Sequence, residues 1–126
     1  MQNEKVKMQI KQNTISSRLM DFSVNIINLT ILLEKTYTGR HVSGQLMRSA
    51  TSAGANYEEA CGGESRADFI HKLQIVLKEI KESLFWLNLI QKSRLAPKPN
   101  DDLVRLHREA MELTNIIAKS IVTAKK

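Results

Sequence analysis

One cysteine, two prolines and five glycines stand in a chain of 126 residues, and each scarcity closes a class of structures. A lone Cys61 can form neither an intrachain disulfide nor a multi-cysteine zinc site, and it fits a reducing compartment. So few prolines and glycines exclude a collagen-like or proline-rich chain. Long apolar runs are missing too. The most apolar stretch, 24–33, is broken by Asn25, Asn28 and Thr30 and falls far short of the roughly 20 apolar residues that span a bilayer. The polar start from Met1 to Lys7 leads into no apolar segment, so no signal peptide is expected, and the protein is read as cytoplasmic. The sequon Asn28-Leu29-Thr30 is then incidental. No catalytic motif stands out, and an enzyme is not expected.

What remains is ordinary globular material. Hydrophobic residues make up 42% and charged residues 25%, so a folded chain is expected, and the length suits one domain. Lys and Arg number 19 against 13 Asp and Glu, a formal charge of +6, which invites nucleic acid or an anionic membrane as partner. The excess is uneven. Residues 1–13 hold Lys5, Lys7 and Lys11 against Glu4, and residues 119–126 hold Lys119, Lys125 and Lys126 with no acid. Residues 65–99 are basic as well, whereas 100–118 lean acidic. The expected organisation is a basic tail over 1–13, a bundle over 14–122 and a basic tail over 123–126, with both tails mobile.

Spacing supplies four helices. Ile15, Leu19, Phe22, Ile26, Leu29 and Leu33 recur at steps of four and three, predicting a first helix over about 14–37 with Gly39 as its left-handed C-terminal residue. Val42, Leu46, Ala50, Ala53 and Tyr57 predict a second over about 41–61, stopped by Gly62 and Gly63. Ser65 reads as an N-cap with Asp68 three residues on. Phe69, Leu73, Val76, Ile80, Leu87 and Ile90 predict a third helix over about 66–93, and the linker 96–99 follows. Asn100 caps the last helix, with Asp101 and Asp102 in its first turn. Leu103, Leu106, Ala110, Leu113, Ile117 and Ile121 complete that stripe. No segment alternates with period two. The expected fold is all-α, an antiparallel up-down-up-down four-helix bundle.

Two helices carry more apolar surface than one bundle uses. At 100° per residue, Met20, Val24, Ile27 and Ile31 fall opposite the first stripe of helix one. Ile75, Phe85 and Leu89 point away from the core stripe of helix three, with Trp86 on the flank. Helix four shows no comparable second seam. Large exposed apolar patches are rare on monomers, so these eight residues are the candidate interface of a homo-oligomer. A membrane is not expected, because Lys78 and Glu82 share the outer face of helix three. The run of small residues Ser49 to Ala55 is read as close packing, chiefly against helix three.

The blocks Gln45–Ala60, with its Asn56-Tyr57-Glu58-Glu59 run, Ser65–Leu73 and Ile75–Leu87 are recognisable together. The chain resembles the bacterial four-helix bundle proteins, also called 23S rRNA intervening-sequence proteins, over about residues 15–122. The resemblance implies an antiparallel bundle that assembles into a ring-like homopentamer, and it supplies no catalytic residues. A related branch, the accessory variability determinant of diversity-generating retroelements, is a basic pentamer that partners a reverse transcriptase and binds nucleic acid. The present chain is more similar to the intervening-sequence branch, whose small-residue block and Asn-x-Glu-Glu run it shares.

Polar candidates for chemistry are Asn56, Glu58, Glu59, Glu79 and Glu82. A di-iron bundle needs Glu-x-x-His on two helices, whereas this chain offers only Asp68-x-x-His71, so no metal or other cofactor is expected. Glu58 or Glu59 is expected to pair with Arg48 or a helix-three lysine. Cys61 has no histidine placed beside it by the sequence. Trp86 and Phe85 suit subunit packing better than base stacking. The expected role is that of a non-enzymatic oligomeric scaffold or accessory factor contacting RNA or DNA through phosphate-directed cations. The first candidates are Lys5, Lys7, Lys11, Lys125 and Lys126, with Lys72, Lys81 and Lys92 behind them. The rival is a protein-binding adaptor that ignores nucleic acid.

Overall fold

Four helices occupy almost the whole chain in a computed structural model that describes residues 2–97 and 100–126. Met1, Lys98 and Pro99 lie outside the described residues, so half of the expected linker is not seen. The helices are α1 (Gln2–Ile31), α2 (Tyr37–Cys61), α3 (Arg66–Ser93) and α4 (Asp101–Lys125). Among the described residues there is no strand, and the expected all-α class holds.

Neighbours pair in antiparallel order. Ser23 donates to the Ala50 carbonyl while Ser43 donates to that of Thr30, so numbers rise on α1 as they fall on α2. Arg48 reaches Glu79 and Lys72 reaches Glu59, which gives the same sense for α2 and α3. Arg18 on α1 reaches Glu109 on α4 and closes the ring. Among the described residues, close backbone approach runs between ring neighbours and not across the diagonals, while the buried side chains of all four helices form one core. The core stripes of all four helices are buried as their spacing required, apart from Phe69, which is half-buried near one end.

Caps explain most boundaries. The Ser65 side chain accepts from the Asp68 backbone N–H at 3.1 Å, and Asn100 accepts from that of Leu103 at 2.8 Å, each satisfying one orphan donor. α3 ends on Arg94, whose φ of 59° places a side chain in the left-handed region that glycine usually fills.

The first helical hairpin departs from expectation. α1 stops at Ile31 rather than 37, and α2 starts four residues early, behind Thr36, whose hydroxyl accepts from the Gly39 N–H at 2.9 Å. Gly39 is therefore in the first turn of α2 and does not end α1. Its role is close approach: a Cβ there would overlap the Leu33 carbonyl oxygen and lie 2.8 Å from its carbon. At its other end α1 begins at Gln2, so the described part of the segment read as a mobile tail is helix. It lacks core residues but is rich in Lys, Gln, Met and Glu, which favour helix. The segment 123–126 likewise carries the last turn of α4.

The small-residue run serves two neighbours, where the sequence pointed chiefly to α3. Ser49 and Ser83 are fully buried and share a 2.8 Å hydrogen bond between α2 and α3. Gly54 instead faces α1, where an added Cβ would meet Ser23 and Leu19.

Candidate nucleic-acid interface

A bundle of four antiparallel helices brings its chain back to the end where it started. The first turns of α1 and α3 and the last turns of α2 and α4 therefore share one end of the molecule. Met8, Lys11, Tyr57, Arg66, Phe69, Thr123 and Ala124 meet there around one cleft. Met8 and Ala124 line the same cleft, and the turn of α1 before Met8, with Lys5 and Lys7, is exposed at this end. Lys5, Lys7, Lys11, Lys125 and Lys126 are all exposed, and none takes part in an ion pair among the described residues. Two segments that looked like separate tails thus form one cationic end built on helix.

The remaining cations divide. Lys72 is half-buried near this end, and its ammonium lies 3.5 Å from Glu59, as expected of a Glu59–lysine pair. That carboxylate competes with any phosphate. Lys81 and Lys92 sit on the outer face of α3, exposed and progressively farther from the cationic end. The structure does not bring them together with the terminal lysines.

Arg48 pairs with Glu79 at 3.1 Å and with Glu82, rather than with Glu58 or Glu59. Glu82 also accepts from the Trp86 indole N–H at 3.1 Å. Burial alone would raise the Glu82 carboxyl, but the hydrogen bonds from Trp86 and Arg48 outweigh it and hold it below its ordinary value. The Trp86 ring meets His41 edge-on at 6.2 Å and Phe85 at 5.0 Å. Trp86 and Leu89 are half-buried against the core, and Ile75 is half-buried too, while Phe85 is exposed. The outer seam of α3 is therefore largely spent within its own subunit.

The outer seam of α1 is not. Met20, Val24, Ile27 and Ile31 are all exposed, and so are Val6 and Ile10. With Asn13 and Ser17 these positions step 4-3-4-3-4-3-4 over about 37 Å, the spacing of a coiled-coil contact line. Sequence reasoning missed the first two because no core stripe accompanies them. It also missed exposed Val104, Met111 and Val122 on α4, which share a face at spacings of seven and eleven. That signal was present but diluted by Arg108 and Asn115.

Chemical alternatives have little to work with. No group of three or more His, Cys, Asp or Glu residues able to hold a metal occurs among the described residues. Burial pushes the Cys61 thiol up, away from the thiolate that acts as a nucleophile. His107 is engaged with Asn88 at 2.8 Å and His41 with Trp86. A polar groove of about 570 Å³ between α1 and α4 has walls of both signs, including Asp21, Asp102 and Arg105. Beside it, Arg18 grips Glu109 through two nitrogens, at 2.6 and 3.0 Å. Among the described residues, no helix is long and apolar enough to cross a membrane.

A family model described as "23S rRNA-intervening sequence protein" matches residues 11–119. Among solved structures, the chain is 33% identical to a crystal structure from Bacteroides thetaiotaomicron, described as a protein of unknown function from the S23 ribosomal protein family. The match covers 88% of this chain and 97% of that one, with a TM-score of 0.79. No curated protein matches the chain.

Proposed function

The chain belongs to the 23S rRNA-intervening sequence protein family, and on that premise we propose that it is a cytoplasmic, non-catalytic, oligomeric scaffold whose cationic end contacts nucleic acid. The observation that carries this reading is the gathering of Lys5, Lys7, Lys11, Lys125 and Lys126 at one end of the bundle. Lysines carried on and just beyond helix ends that share one end of the bundle concentrate positive charge there, which suits a row of phosphates better than separate tails do. Their contacts are sequence-independent, because phosphate oxygens carry no base information.

Assembly multiplies the effect. The outer line of α1 is the surface best suited to a second copy, and a ring, pentameric by family resemblance, would repeat the cationic end around its rim. Many weak phosphate contacts then act as one.

The test is a fluorescence titration of a labelled oligonucleotide at low salt with three proteins. These are the wild type, a variant with all five end lysines changed to Gln, and a Lys81→Gln, Lys92→Gln variant. Loss of binding confined to the five-lysine variant is the expected result. Equal loss in the α3 variant would move the contact to the side of the bundle. No binding by the wild type would favour the protein-binding adaptor.

A further inference from the structure

The cationic end is not flat. A cleft of about 410 Å³ opens into it, bounded by all four helices, and its volume lies within the range of small-ligand sites. Its walls combine three chemistries. The half-buried Phe69 ring is its accessible aromatic wall, over a floor where Tyr57 and Ile15 are almost wholly buried. Gln12, Ser120 and Thr123 add side chains that both donate and accept hydrogen bonds. Lys11 and Arg66 bring two cations to the same cleft, and both are exposed to solvent.

An alkyl chain would leave the Gln12 amide and the Thr123 hydroxyl without partners, whereas Ser120 already donates to the Ile116 carbonyl, and a bare phosphate would leave the Phe69 face uncovered. A planar, hydrogen-bonding ring joined to an anion satisfies all three. We propose that this cleft receives one unpaired nucleotide, with its base against Phe69 and its phosphate between Lys11 and Arg66. The inference rests on the phosphate-contacting reading above and extends it from strand charge to strand state. A base stacked in a duplex cannot enter the cleft without being unpaired first, whereas single strands present their bases freely. The protein thus favours unpaired strands or strand ends over continuous duplex, without reading their sequence.

The experiment uses the full-length protein and two oligonucleotides of equal phosphate count, one single-stranded and one a blunt hairpin. Each carries 2-aminopurine, whose emission reports stacking, and both are titrated at one low salt concentration. The wild type is expected to bind the single strand about tenfold more tightly, in line with base–aromatic stacking, and to change the probe's emission. Ala124→Trp fills the cleft from the half-buried last turn of α4, and Gln12→Leu removes a polar wall, both without altering charge. Either is expected to abolish the preference while leaving hairpin affinity within about twofold of wild type, with helicity checked by circular dichroism. Equal affinity for both strands, or an undiminished preference in both folded variants, would overturn the nucleotide site and leave the phosphate reading standing. Absence of binding to either strand would overturn both.

Discussion

Changing Val24 and Ile31 to Glu together probes the outer line of α1 with little risk to the fold. Met20, Val24, Ile27 and Ile31 are 63%, 47%, 40% and 60% exposed, so roughly half of each side chain remains to be covered. Full burial of such a side chain contributes about 1.5–3 kcal/mol. Covering the outstanding half contributes about 1 kcal/mol each, or about 4 kcal/mol for the four, and that corresponds to nearly three decades in the association constant. Two glutamates remove half of this and set like charges near an apolar contact. Folding should be little affected, since both residues are exposed, Glu favours helix more than Val, and at Ile31, the last residue of α1, its charge opposes the helix dipole by at most about 1 kcal/mol. Sedimentation velocity and light scattering, with thermal unfolding alongside, give the answer. The wild type should sediment as a multiple of the 14.3 kDa chain, and the variant should dissociate with its melting cooperative. A monomeric wild type, or a natively folded variant of unchanged mass, would refute the reasoning.

Three further outcomes follow from individual residues. Gly39→Ala should cost about 3 kcal/mol and lower the melting temperature by about 10 °C, because the obstructing atoms belong to the Leu33 backbone and cannot step aside. A shift under about 2 °C would show that the α1–α2 turn can relax. Arg94→Gly should stabilise by about 1 kcal/mol in denaturant melts, since it relieves the left-handed strain at φ 59°; destabilisation would mean that the arginine side chain matters more than its backbone. For Glu82, a carboxyl held below its ordinary 4.5 contributes stability that is present at neutral pH and lost as pH falls through the depressed value. Trp86→Phe removes one of its hydrogen bonds and should flatten the loss of melting temperature as pH falls through the carboxylate range. An unchanged profile would remove Glu82 from the account.

The parts of the fold that were legible in the sequence are those that physics writes locally. Core stripes of step three and four, the Ser65 and Asn100 caps and the glycines after Cys61 each announce themselves within a few residues. The family blocks were legible as well, and of the pairings left open to Glu58 and Glu59 the structure forms the one between Glu59 and Lys72. Gly39 was not, because glycine reads alike whether it supplies a positive φ or room for a carbonyl. The start of α1 was hidden because its first turns pack against nothing in this subunit, and a helix without a core stripe looks like a tail. The exposed face of α3 was overstated, since the sequence could not show Trp86 turning toward His41 and Glu82. The cleft was out of reach altogether. Gln12, Phe69 and Ser120 come from three helices and meet only where four helix ends converge.

The slope of binding affinity against salt concentration for a long single-stranded oligonucleotide tests the cationic assembled end most directly. Each neutralised phosphate on a single strand contributes about −0.7 to the slope of log K against log salt, so the five end lysines of one chain together with Arg66 allow at most about −4.2. The account predicts a steeper slope, because an oligomer engages one strand with lysines from several copies at once. A slope no steeper than one chain allows would contradict the assembled rim, and a slope near zero would contradict phosphate contact itself.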